Sequence, residues 1–179
     1  MPASQDPKVT ALQQARGALL FARSVARLEC GGLPNLDYYL VNDRDVSTLA
    51  MLNARPGFAA AFAYELGLLA DEASRSTQDP MTHGLARQSA VAKLRAARTA
   101  LLNAWSSASR ETVEIISGLR GRPLVFCNAE HRRESGPARA NTESQRLTIA
   151  ELGAAVKTGD LPAPVTCARC GRLLYPTSH

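Results

Sequence analysis

Two short ligand pairs constrain this chain more than anything else in it: Cys127 with His131, and Cys167 with Cys170. Each pair can grip one ion from a tight turn, and zinc is the ion that three thiolates and an imidazole hold in a closed tetrahedron. Gly171 follows directly in the stretch Val165-Thr-Cys-Ala-Arg-Cys-Gly-Arg-Leu-Leu-Tyr175. It lets the backbone fold back so that amide N–H groups approach the sulfurs. His179 or a ligand from outside the chain is an alternative to His131 as the fourth donor.

Energetics favour a metal here. The segment 122–176 carries few large apolar side chains, too few to offset an ordering entropy of about 1–2 kcal/mol per residue. A structural site supplies apparent binding free energies of about 10–16 kcal/mol once its thiols ionise. Two other uses of these residues fit less well. A redox Cys-x2-Cys starts a helix in a βαβ unit, whereas this one is followed by Gly171 and the strand-like Arg172-Leu-Leu-Tyr175. A catalytic zinc of the nucleobase-deaminase kind needs a glutamate two residues after its first ligand, and Glu130 here precedes His131. The fourth cysteine, Cys30, has no partner at a useful spacing, so a disulfide framework is not expected.

Cys127-Asn-Ala-Glu-His131 and Cys167-Ala-Arg-Cys170-Gly-Arg-Leu-Leu-Tyr175, each at the end of a short extended run, resemble the paired knuckles of zinc-ribbon and related zinc-finger modules. The resemblance covers 122–176 only, and its first knuckle departs from the usual Cys-x2-Cys. It implies a small α+β module built around a structural Zn2+.

Upstream the chain reads as helical. Asp6-Pro7 is an N-cap followed by a proline in the first turn, and Val9, Leu12, Ala15, Leu19, Ala22, Val25 and Leu28 recur at helical spacing, predicting a helix over 7–29 that Gly31-Gly32 stops. Residues 33–45 fit either a short strand or an irregular helical turn. Asp45 caps a short helix over 46–54, Arg55-Pro56-Gly57 breaks the chain, and an apolar helix follows over 58–75. Residues 76–83 read as a linker containing a lone His83. The longest helical pattern runs over 84–117, with Leu94, Ala97, Leu101, Trp105, Ala108, Thr112, Ile115 and Leu119 spaced by threes and fours. Its natural antiparallel partner is the 58–75 helix. Beyond it, Leu124-Val-Phe126 is β-prone, 132–147 reads as a polar loop, Thr148-Ile-Ala-Glu151 opens a short helix ending near Gly159, and 161–166 is extended by its prolines. The fold expected is mainly α: an N-terminal bundle of three to four helices over 1–118 and the zinc-ribbon-like module over 119–179.

Charge points to a partner. Lys and Arg outnumber Asp and Glu by 12 to 11 over 1–118 and by 9 to 5 over 119–179, so most of the net +5 falls in the metal-binding segment. Arg120, Arg122, Arg132, Arg133, Arg139, Arg169 and Arg172 surround its two knuckles and are the candidate contacts to nucleic-acid phosphates. Arg87, Arg95 and Arg98 form a basic strip on the long helix, which is read as a solvated face. Asp43 and Asp45 read as helix-capping residues rather than a cation site. No phosphate loop, nucleophile elbow or metalloprotease helix is present. The function expected is therefore non-enzymatic, with the bundle for protein contacts and the basic module for nucleic acid. The alternative is an adaptor or assembly subunit, in which helix 84–117 pairs with a protein partner or a second copy and the metal is purely structural. The N-terminus, Met1-Pro-Ala-Ser-Gln-Asp-Pro-Lys8, lacks an export signal and no apolar run is long enough to span a bilayer, so a cytoplasmic location is expected.

Overall fold

The computed structural model describes residues 5–26, 45–75, 80–107, 110–117, 122–134 and 144–176. It is mainly helical, with short antiparallel strands toward the C-terminus. The chain divides into two compact units, one running to Ala108 and one from Ser109 to Thr177. Among the described residues no helix is long and apolar enough to cross a membrane.

In the first unit, α1 (Pro7–Ser24) starts where expected, with the Asp6 carboxylate accepting from the Lys8 amide at 2.9 Å. It buries Ala11, Leu12, Ala15, Ala18, Leu19 and Ala22; of the stripe its spacing predicted, Leu12, Ala15, Leu19 and Ala22 are sealed, whereas Val9 is half-buried and Val25 is 50% exposed. It ends at Ser24, short of 29. There the Ser24 hydroxyl donates back to the Leu20 carbonyl and the Val25 amide closes on Phe21. Residues 27–44, with Cys30, Asp43 and the undecided 33–44 stretch, lie outside the described residues.

α2 (Asp45–Ala54) and α3 (Pro56–Arg75) are separated by Arg55 alone. Pro56 opens α3 rather than breaking the chain, because the first turn of a helix has no use for the missing N–H. The same reason moves the start of α4 (Pro80–Ala104) ahead of the expected 84. α4 packs against both α1 and α3, and α2 contacts α1 and α3. α3 and α4 are antiparallel: Asp71 pairs with Arg95 at 3.7 Å, while a Cβ built on Gly67 would stand 3.2 Å from the Arg98 Cδ, so the matched positions run in opposite directions. The core is small and aliphatic, with Leu12, Leu19, Leu52, Phe62, Leu66, Leu69, Leu94 and Leu101 sealed among alanines. At one end a polar knot ties three elements: the Asn53 Oδ1 accepts from Lys8 Nζ (2.9 Å) and from the indole N–H of Trp105 (3.1 Å), with Lys8 over the Trp105 ring.

The second unit corrects two expectations. The helical pattern over 84–117 stops at Ala104, and Thr112–Ser117 is a strand, β1. Thr112, Val113, Ile115 and Ile116 are β-branched, which crowds a helix and suits a pleated surface. Ser106-Ser107 interrupts the helix before them, because serine hydroxyls compete for backbone hydrogen bonds. Residues 112–117 thereby belong to the C-terminal unit, whose start at Ser109 lies ahead of the expected 119.

The loop expected over 132–147 is the second difference. α5 (Ala129–Glu134) covers its beginning, and its end forms β3 (Ser144–Thr148). β1 is central in a three-stranded antiparallel sheet, with β2 (Pro123–Phe126) on one side and β3 on the other. Ser144, Gln145 and Arg146 are exposed, as suits an edge strand whose polar side chains meet water.

The remaining elements agree with expectation. α6 (Ile149–Thr158) has a complete capping box between Thr148 and Glu151 and ends at Gly159 in the left-handed conformation (φ 85°). β4 (Val165–Thr166) and β5 (Leu173–Tyr175) form a hairpin. The unit's own core is Val113, Val125, Phe126, Ile149, Leu152, Leu161, Val165, Leu174 and Tyr175.

Candidate metal centre

The β4–β5 hairpin turns through Cys167-Ala-Arg-Cys-Gly171. Its closure is local: the Cys167 amide donates to the Arg172 carbonyl at 2.8 Å and the Gly171 amide to the Cys167 carbonyl at 2.9 Å. Gly171 sits at φ 71°, a left-handed conformation that would strain any side chain, so the glycine is required by the turn. One longer hydrogen bond aims the turn. The Ala168 amide donates to the Val125 carbonyl at 2.8 Å, fastening the turn to β2 two residues before Cys127.

Beyond Cys127, the Asn128 side chain accepts from the His131 amide at 2.8 Å and opens α5, which carries the imidazole one helical turn past the thiol. The outcome is one cluster. Cys127 Sγ lies 2.9 Å from His131 Nδ1 and 3.9 Å from Cys170 Sγ, Cys167 Sγ lies 3.7 Å from His131 Nδ1, and all four donor atoms fall within 4.8 Å of one another. In a tetrahedron whose sulfurs stand about 2.3 Å from a central ion, the sulfur–sulfur edge is about 3.8 Å. The four side chains could therefore hold a metal ion. They are the only such group of three or more His, Cys, Asp or Glu among the described residues.

Electrostatics point the same way. Burial alone would raise the Cys167 thiol, which is 1% exposed, but N–H groups of Cys170, Cys127 and Arg169 and the side chain of His131 outweigh it and bring it down to about 6. Cys127 is pushed up to about 12, by burial and by the neighbouring sulfurs of Cys167 and Cys170. One anion is welcome among three crowded sulfurs and a second is not, unless a cation shares the space. Cys170 lies at the exposed edge of the cluster.

The arginines divide into distinct groups. Arg122, Arg133 and Arg172 are exposed and have no ion-pair partner among the described residues. Arg169 is half exposed and pairs loosely with Glu134 at 3.7 Å. Arg120 and Arg139, like His179, lie outside the described residues. Arg132 is engaged internally: it donates to Glu114 Oε2 at 3.2 Å and to the Ser144 hydroxyl at 2.7 Å. On α4, Arg95 pairs with Asp71 and the Arg87 Nε is buried, so the strip on that helix is not a row of free cations.

Glu114 was missed by sequence reasoning, because a helix was expected where β1 lies. It is 7% exposed, with Arg132 and Arg146 gathered on its carboxylate. Burial would raise its pKa, but hydrogen bonds from Arg146, Arg132 and Ser144 and the charge of Arg146 hold it below the ordinary carboxylate value. A carboxyl depressed in the folded state stabilises above its unfolded pKa of about 4.3, and that contribution is lost as pH falls through the folded value. Urea unfolding of the C-terminal unit, followed through β1 amide resonances, should show Glu114→Gln less stable than the parent at about pH 6. The gap should narrow as pH falls toward the carboxyl range, followed only while the thiolates still hold their metal. Equal stability of the two at about pH 6 would mean that the carboxylate charge contributes nothing.

Comparison with protein-family models, curated proteins and solved structures finds no match to this chain.

Proposed function

We propose that this chain is a non-enzymatic zinc protein whose C-terminal unit is a zinc-ribbon-like module that contacts nucleic-acid phosphates. The observation that carries the reading is the gathering of three sulfurs and one imidazole nitrogen within 4.8 Å. Such a soft, four-donor set favours Zn2+ and leaves no coordination position for a reacting water. Glu130, the one carboxylate beside a ligand in sequence, is exposed and is not part of the donor group. The β4–β5 turn supports the ribbon likeness, while the second ligand pair comes from a strand-to-helix turn rather than from a matching hairpin.

Charge supports the phosphate contact. Over 109–177, Lys and Arg number 10 against 7 Asp and Glu, an excess of three in the module against two in the rest of the chain. Among the described residues of this unit that the sequence singled out, Arg122, Arg133 and Arg172 are the side chains available to an outside anion, joined by Arg169. Arg132 serves the fold instead.

The test is fluorescence anisotropy with labelled DNA and RNA oligonucleotides over about 50–200 mM salt. Binding should weaken linearly on a log–log plot, and Arg133→Ala with Arg172→Ala should flatten the slope by about one for each phosphate no longer neutralised. Absent or salt-insensitive binding would refute the reading. A second reading, the adaptor, is favoured by exposed apolar side chains on the helical unit: Leu85 is 84%, Leu20 56% and Val25 50% exposed. It requires a stable oligomer or protein complex by light scattering together with no oligonucleotide affinity.

A further inference from the structure

We infer that Glu114 and Arg132 are positioning residues for the metal centre: anchored in the sheet, the Glu114 carboxylate holds through Arg132 the short helix that presents His131, and so sets the metal affinity. The inference rests on the metal reading above and concerns how strongly the site binds.

α5 cannot hold its own place. It has six residues, none buried, and a helix of fewer than two turns has no independent stability in water. Its N-terminal end is fixed by Asn128. Among the described residues, the hydrogen-bonded tie from beyond His131 to the sheet is Arg132 Nη1 to Glu114 Oε2 at 3.2 Å, with Ser144 Oγ 2.7 Å from the same nitrogen and 3.1 Å from the same oxygen. The Arg169–Glu134 pair is long and exposed on both sides, and pairs of that kind contribute little.

The anchor itself is rigid. Glu114 lies on the central strand, its side chain 9% exposed, and its other oxygen is filled by Arg146 Nη2 and Nε at 3.0 and 3.3 Å. Both carboxylate oxygens are therefore engaged, and the carboxylate cannot turn away from Arg132 without losing partners. Arg132 is the residue after His131, so releasing it frees the backbone that carries the imidazole. The three sulfurs are unaffected by that release, because Cys127 follows β2 and Cys167 and Cys170 belong to the hairpin. Loss of the tie should accordingly act on one ligand of four.

Co2+ titration of the full chain against a competing chelator tests this, because its visible bands report the donor set directly. Arg132→Gln should lower Co2+ affinity about tenfold and weaken the bands of a three-sulfur, one-nitrogen tetrahedron. Arg132→Lys keeps a cation opposite Glu114 and should recover part of the loss. Glu134→Gln removes the long, exposed pair with Arg169 on the same short helix, and should stay within about twofold of the parent. If Arg132→Gln does not fold, Glu114→Gln tests the same tie from the sheet side, with the same loss expected. Unchanged affinity in Arg132→Gln or Glu114→Gln overturns the inference, as does an equal loss in Glu134→Gln, which would show a general dependence on charge around α5. A parent chain that binds no Co2+ overturns the metal reading and this inference with it.

Discussion

Removing the proposed metal should unfold the described strands and helices of the C-terminal unit and leave α1, α3 and α4 in place. Among its described residues the C-terminal unit buries nine large apolar side chains besides Cys167, among them Val113, Phe126, Leu152 and Tyr175. At about 1.5–3 kcal/mol for a fully buried aliphatic or aromatic side chain, such a core is small beside an ordering cost of about 1–2 kcal/mol for each residue fixed. An apparent metal contribution of about 10–16 kcal/mol is then the difference between folded and unfolded.

Trp105 makes the experiment selective. It is the only tryptophan, it is 3% exposed, and it belongs to the helical unit. On titration with a strong chelator, its emission should stay constant while amide protection in β1, β2, β4 and β5 is lost. Cys167→Ser should have the same effect without chelator and should be more severe than Cys170→Ser. Cys167 is buried and receives the backbone N–H donors, whereas Cys170 sits at the exposed edge. Retained amide protection in metal-free protein would show that the unit folds on its apolar core alone.

The second large effect belongs to the helical unit. Phe62→Ala should destabilise it by about 3–5 kcal/mol, read as a shift in the urea midpoint of Trp105 emission. Phe62 is fully buried on α3, a helix whose other buried residues are mostly alanines and leucines. Alanine side chains have no rotamers with which to close a gap, so the cavity should persist. Against a typical domain stability of about 5–15 kcal/mol the loss is a large fraction of the whole. A change below about 1 kcal/mol would mean that the site collapses freely or that Phe62 is not part of a tight core. The C-terminal amides should be unaffected in this variant, the converse of the chelation result.

These expectations rest on features of unequal visibility. The Asp6-Pro7 start of α1, the Thr148–Glu151 box of α6 and the Gly171 turn each involve groups within about four residues of one another, and each is present as its residue types require. The ligand pairs are of the same kind, one spanning a helical turn and the other a hairpin turn. That both pairs face one point depends on a longer contact, from the Ala168 amide to the Val125 carbonyl.

Strands and ion pairs were hidden for the converse reason. Thr112 and Ile115 carry on the three-and-four spacing of α4, and a local count cannot distinguish that from the alternation of a strand. Only the presence of Leu147 opposite Val113, and of Val125 opposite Ile115, makes the extended form the one that buries apolar surface. Ser144-Gln-Arg146 has the polarity of a loop, and it is a strand because β1 offers it a ladder of hydrogen bonds. The Glu114 carboxylate meets Arg132 18 residues away and Arg146 32 residues away, and no spacing rule connects them.

By itself the sequence determined the starts of α1 and α6, the four side chains that could hold a metal and the turn that carries two of them, because each is an interaction between near neighbours along the chain. The tertiary structure alone decided that 112–117 leaves the helix for the sheet, that Arg132 bonds to Glu114 and Ser144, and that the two Cys and His pairs fall within 4.8 Å of one another. Those outcomes depend on which distant groups can satisfy a buried carboxylate or an open strand edge, and that is settled only when the chain has closed on itself.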